Sequence, residues 1–206
     1  MPNLLGATSQ SDRQDFARLW QGLCPDEIKI YPNQLLANAE LYEYWQRGEF
    51  HPYTTRQLVD LIADVKPTIP RYCRVNRVIR DIPSTNVVEG NRRTSLRQDV
   101  LAELARRGQS CRCVRCREVR DEKVDMSQLR LEDMVYHPAH AEEHFLSFET
   151  ENETLVGFLR LRLGQPGFDL DEAADQGGLV GARVGKEHLA IGAGLAYLLA
   201  VAPSAA

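Results

Sequence analysis

Residues 72–98 read YCRVNRVIRDIPSTNVVEGNRRTSLRQ. Tyr72 to Ile82 alternates as a β-strand does, with Tyr72, Arg74, Asn76, Val78 and Arg80 pointing one way. From Leu96 to Arg107 the spacing becomes that of a basic amphipathic helix, which Gly108 closes. Upstream, Thr54 or Thr55 caps a helix running to Val65 with Leu58, Leu61, Ile62 and Val65 on one face. Ala39 to Arg47 is a helix closed by Gly48, and Ile28 to Tyr31 is a short strand stopped by Pro32. Ser11 caps a first helix, Asp12 to Leu23, whose apolar stripe is Phe16, Leu19, Trp20 and Leu23. Helices and strands thus alternate through the first half, which predicts an α/β unit.

Downstream the pattern changes. Asp121 to Asp133 reads as a linker. Phe145 to Phe148 and Thr154 to Leu163 read as two strands joined by a turn at Glu151 to Glu153, and Asp169 to Gly185 reads as loop. The expected division is an α/β unit at 1–105, a cysteine-containing linker at 106–135, and a mixed α+β unit at 136–206.

Charge sharpens the division. The net charge is −4, yet Lys66 to Arg120 holds 14 basic residues against 5 acidic ones, and the remainder holds 11 against 24. Arg71, Arg74, Arg77 and Arg80, then Arg92, Arg93 and Arg97, form a basic run that can meet several phosphates. A charge run is usually a solvated face. Here its density and the adjoining cysteine loop point to nucleic acid, and only Tyr72 is interleaved, so backbone and shape recognition should outweigh base stacking.

Five cysteines stand at 24, 73, 111, 113 and 116. An odd count with no signal-peptide pattern in Met1 to Asp12 argues for a reducing, cytoplasmic setting. Leu189 to Ala202, the longest apolar run, is shorter than the ~20 residues that a membrane span needs. Cys111, Cys113 and Cys116 at C-x-C-x-x-C spacing can converge on one ion, zinc before an iron–sulfur cluster. Arg112, Arg115 and Arg117 flank the thiols and favour their ionised form. A fourth ligand must come from elsewhere: His137, His140, His144 and His188 are candidates, and none has a diagnostic spacing. Cys24 and Cys73 are lone core or surface thiols. The carboxylates Asp169, Asp171, Glu172 and Asp175 read as a solvated loop, and Gly192-Ala-Gly194 as structural.

Six blocks carry a resemblance: PNLLGAT (2–8), DEIKIYPNQLL (26–36), AELYEYWQRGEFHPYT (39–54), the stretch 72–98, ARRGQSCRCVRCREVR (105–120), and HFLSFET with LVGFLRLRL (144–150 and 155–163). Together they resemble the catalytic subunit of the Elongator complex, whose bacterial and archaeal forms are tRNA uridine carboxymethyl synthases. The resemblance implies the C-terminal part of a radical SAM TIM-like barrel followed by the start of an acetyltransferase-like domain. In that family a 5′-deoxyadenosyl radical, made from S-adenosylmethionine at a [4Fe–4S] cluster, activates the methyl group of acetyl-CoA. The carbon radical adds to C5 of the wobble uridine, and hydrolysis releases CoA. Cys111, Cys113 and Cys116 match the family's zinc-type loop. Arg74, Arg77, Arg80, Arg92, Arg93 and Arg97 match the surface that receives the tRNA anticodon stem-loop. Lys29 and Tyr31 match a lysine-x-tyrosine-proline block near the substrate. The family's three-cysteine cluster motif and its acetyl-CoA loop have no counterpart here. The expected product is therefore a fragment that binds tRNA and metal with no catalytic residues of its own. The rival readings are a stand-alone zinc-dependent RNA-binding module and a basic interaction domain. An open half-barrel edge invites self-association.

Overall fold

The computed structural model describes residues 1–121, 123–139, 141–164 and 179–184. His140, His188, the carboxylates at 169–175 and the Gly192-Ala-Gly194 turn lie outside the described residues. Two compact units are present, Met1–Cys116 and Arg117–Ala206.

The first unit is built on a β–α–β core. Strands β1 (Glu27–Ile30) and β2 (Arg74–Val78) pair in parallel. Parallel neighbours need a crossover, and helices α2 (Leu41–Gln46) and α3 (Thr55–Val65) lie in it. Thr54 caps α3, and Gln57 bonds back to the cap, so two of the helix's orphan amides are satisfied. Leu58, Leu61 and Ile62 are each 2% exposed or less. Burying each contributes about 1.5–3 kcal/mol relative to exposure. Helix α4 (Leu96–Arg106) packs against α3 with Leu96, Val100 and Leu104 buried. Arg107 locks the two helices by reaching Asp60 and Asp64 of α3 and Glu103 of α4, each at 2.6 Å. A single-turn helix α5 (Val114–Arg117) closes the unit.

Three readings of this half are corrected. The first helix, α1 (Ser9–Arg18), starts earlier, because Thr8 is its cap and Ser11 is the third residue that completes the capping box. It also stops earlier: a π-turn at Leu19–Leu23 breaks at Gln21 and Gly22, and Leu23 ends up 72% exposed instead of on a core stripe. In β2 the strict alternation fails. A register shift opposite Ile28 and Lys29 leaves Asn76 extra, so Val75 and Val78 both face inward. The strand then ends at Val78, since Ile79 takes φ +82°. The helix expected over 39–47 is shorter at its start.

The second unit is an antiparallel sheet in the order β3 (Arg130–Tyr136), β4 (Ala141–Glu149), β5 (Leu155–Gly164) and β6 (Leu179–Val184). The expected hairpin is β4–β5, turning at Glu153 with φ +63°. Ala141, Glu143, Phe145, Ser147 and Glu149 alternate onto one buried face. β3 corrects the linker reading at 130–133, and β6 corrects the loop reading at 179–184; the rest of 169–185 lies outside the described residues. Among the described residues no helix is long and apolar enough to cross a membrane.

Candidate metal centre and basic surface

Gly108, at φ +65°, turns the chain away from α4 and into the cysteine loop. The amide of Val114 donates to the Cys73 carbonyl at 3.0 Å, which ties the loop to the residue preceding β2. The amide of Cys116 donates to the Cys113 carbonyl at 2.9 Å, folding the third thiol back over the first two. The three Sγ atoms lie within 4.8 Å of one another. Cys111 and Cys113 are buried and Cys116 half-buried.

Electrostatics treat the trio as one group. The Cys113 thiol is held well below its ordinary range, first because Cys111 and then Cys116 hydrogen-bond to its sulfur, with burial opposing. Cys111 is pushed up by its bonds to Cys113 and then Cys116, by burial, and by the charge on Cys113. The cation whose charge favours ionisation of all three is Lys66. Its side chain is fully buried, and its Nζ lies 3.9 Å from Cys116 Sγ.

That placement corrects two expectations. Lys66 is no part of an exposed basic surface. Arg117, expected to favour the thiolates, is itself buried and pairs with Glu149 at 2.7 Å. No spacing rule announces Lys66, because it follows α3 and reaches Cys116 from 50 positions away.

The donor set suits a soft cation. Tetrahedral zinc with sulfurs at about 2.3 Å keeps neighbouring sulfurs about 3.8 Å apart, a spacing that this trio can meet with small side-chain rotations. Of the histidines weighed as fourth ligands, His144 is engaged by Asp133 at 2.9 Å and Glu142 at 3.3 Å, and His137 by Glu142 at 3.3 Å. Cys24 and Cys73 are core thiols. Tyr72, the one aromatic among the arginines, is only 3% exposed, and burial followed by its bond to Cys24 raises its hydroxyl pKa.

The arginines divide by environment. Arg77 and Arg80 are exposed, and Arg77 pairs with Asp81. Arg92 is exposed and donates to the Val88 carbonyl at 2.6 Å, while Arg93 grips Asp99 through two bonds at 2.7 and 2.9 Å. Arg74 is half-buried on β2. Arg97 turns inward, donating to the Val75 carbonyl at 2.8 Å. Burial, then Arg115, lowers its pKa, and the three cysteines act against that. Exposed Lys29 stands opposite Arg77 in the β1–β2 register, with Tyr31 half-buried just beyond the strand.

Residues 25–106 match the Radical_SAM C-terminal domain, so the α/β unit carries the C-terminal domain found in radical SAM proteins. Relatives extend the match beyond that domain. The chain is 36% identical over 171 residues to the tRNA uridine(34) acetyltransferase of Methanocaldococcus infernus, covering 79% of this chain and 32% of that protein. It is 38% identical over 168 residues to the protein of the same name from Dehalococcoides mccartyi, covering 79% of this chain and 36% of that protein. Elongator complex protein 3 of Homo sapiens is 35% identical over 169 residues, covering 79% of this chain and 31% of that protein. A solved structure of the archaeal Methanocaldococcus infernus Elp3 with an N-terminal deletion superposes with a TM-score of 0.76 at 34% identity, covering 82% of this chain and 42% of that one. The chain is thus a relative of the Elongator catalytic-subunit family, and it spans about a third of the length of the curated relatives it matches.

Proposed function

We propose that this chain contributes tRNA contact and a thiolate-bound zinc to a tRNA wobble-uridine modifying enzyme of the Elongator type. The kinship with tRNA uridine(34) acetyltransferases carries the reading. The exposed cations of the α/β unit supply the chemistry for it. Arg77, Arg80, Arg92 and Arg93 are exposed, and exposed Lys29 stands opposite Arg77 in the β1–β2 register. Arg74 and Arg97, matched to the same surface by resemblance, act from beneath it, Arg97 by fixing the Val75 carbonyl of β2. Tyr31 follows Lys29 toward the substrate side. The anticodon stem-loop is the proposed ligand, read through its phosphates and shape.

In the proposed division, residues 1–105 belong to the radical SAM barrel, 106–135 to a metal-holding linker, and 136–206 to the start of an acetyltransferase-like domain. Cys111, Cys113 and Cys116 would hold the zinc, which when bound neutralises the thiolates and pins the loop. The chain's own residues bind and position. S-adenosylmethionine, a [4Fe–4S] cluster and acetyl-CoA are proposed for the enzyme as a whole.

The test is binding of an anticodon stem-loop RNA across a salt series. Affinity should fall steeply with salt. Arg77→Ala and Arg80→Ala should each weaken binding and reduce the logarithmic slope by about 1. Binding that ignores salt, or none at low salt, rules the reading out.

A further inference from the structure

We infer that Tyr42 and Trp45 on α2 form a stacking platform for one unpaired base of an RNA loop, beside the arginines that meet its phosphates. This rests on the proposal that the chain binds an anticodon stem-loop.

Three positions apart on a helix, the two side chains share one side of α2. Their ring centroids lie 5.3 Å apart and their planes differ by 35°, nearer to a stack than to an edge-on pair. Phe16 and Trp20 on α1, by contrast, cross at 75°. Both rings of the α2 pair are half-buried and keep surface for a ligand. Trp45 is held in place, because its indole N–H donates to the Glu89 carboxylate. A ring fixed before binding loses little freedom when a base settles on it. Every base has a π-face, so such a platform tolerates any loop sequence. Tyr72 is buried and cannot serve this way, so the pair supplies the aromatic surface that the basic segment lacks.

The same contacts bring the platform to the basic loop. Glu89 leads into Gly90 and Asn91, and Thr55 Oγ1 donates to Asn91 Oδ1 at 2.9 Å. A Cβ added at Gly90 would lie 2.8 Å from Pro52 Cβ, so the loop runs tight against the connection between α2 and α3. Arg92 follows, exposed, with its guanidinium on the Val88 carbonyl at 2.6 Å. Phosphates are drawn to Arg92. The carboxylates around α2 repel them, since Glu43 and Glu49 flank Arg47 and Glu89 holds Trp45. A neutral base meets no such penalty, so the loop's backbone goes to the arginine and its base to the aromatic pair. Arg47 extends the surface, its guanidinium 4.7 Å over the Tyr44 ring.

The test combines changes in protein and RNA, read as dissociation constants of the full chain for an anticodon stem-loop RNA across a salt series. An abasic nucleotide placed at each loop position in turn should weaken binding at one position by roughly 5- to 150-fold, the range for loss of one stacked base. Trp45→Leu keeps an apolar side chain, removes the π-face, and should lose a factor in the same range. Its logarithmic salt slope should match that of the unaltered chain, since no phosphate contact is lost. Trp45→Phe, which keeps a ring, should restore most of the affinity. At the sensitive position the abasic RNA should cost Trp45→Leu nothing further, because the two changes remove one interaction. The inference is overturned if no abasic position weakens the unaltered chain, if the abasic loss is equal in both chains, or if Trp45→Leu lowers the salt slope. Weaker binding in Arg77→Ala alongside unchanged binding in Trp45→Leu sinks this inference alone. No binding by the unaltered chain at low salt removes the tRNA proposal and this inference with it.

Discussion

Arg117 and Glu149 meet at 2.7 Å with 5% and 4% of their side chains exposed, and Ser147 Oγ donates to the same carboxylate at 2.7 Å. A buried pair of this kind is a weak source of net stability, but breaking it is expensive because a charge is left alone. Glu149→Gln should therefore destabilise the sheet by about 3–5 kcal/mol, read as a lowered urea midpoint with an unchanged slope. Gly90 makes a second residue-scale prediction. It sits at φ +96°, and an added Cβ would lie 2.8 Å from Pro52 Cβ. Gly90→Ala should cost on the order of 1–3 kcal/mol in the α/β unit by the same assay. Local chemistry of this sort is unevenly legible. The cysteine trio was readable because its donors lie within six positions of chain and a tight loop brings them together. Lys66 was not, because a lysine after a helix looks exposed until the fold buries it. Arg117 misled for the converse reason: its neighbours in sequence are thiols, and its partner in space is Glu149.

Elements were legible where one face is buried and the period is intact. Helices α3 and α4 carry clear apolar stripes, and β4 alternates between buried and half-buried positions along its length. Strand β3 was missed because six of its seven residues are exposed, which erases the alternation. β6 was missed because a central Gly181 and the acidic, glycine-rich stretch before it imitate a loop. Strand β3 also carries a pH-dependent tie to β4. Asp133 on β3 and Glu142 on β4 both contact His144. Burial works to lower the His144 pKa, but the two carboxylates outweigh it and the net shift is upward from 6.5. A histidine raised by folding adds stability that is fully present below its unfolded pKa and is lost as pH rises through its folded one. Amides of β3 should thus exchange faster, beyond the intrinsic base catalysis, as pH climbs from about 6 to about 8. His144→Gln should flatten that excess. A β3 exchange profile that follows intrinsic rates in the unaltered protein would remove the tie.

At the scale of the molecule, the three proposed thiol donors all lie in the unit Met1–Cys116, in the loop after α4. In the unit Arg117–Ala206, Arg117 pairs with Glu149, and Arg160 meets Tyr136 and the Phe145 ring. Metal should then stabilise one unit and leave the other alone. A ligand that binds only the folded state stabilises by an amount set by its concentration over its dissociation constant, about 2.7 kcal/mol at a hundredfold excess. For a unit of roughly a hundred residues each kcal/mol moves the midpoint by about 4–8 °C. Calorimetry of the full chain with zinc, against the chain after chelation, should therefore show one transition falling by about 10–20 °C while a second stays in place. Cys113→Ser should reproduce the chelated trace and be insensitive to added zinc. A chelator that lowers both transitions equally would mean that the metal's donors are not confined to the α/β unit, and the assignment of the three thiols as its holders would fail.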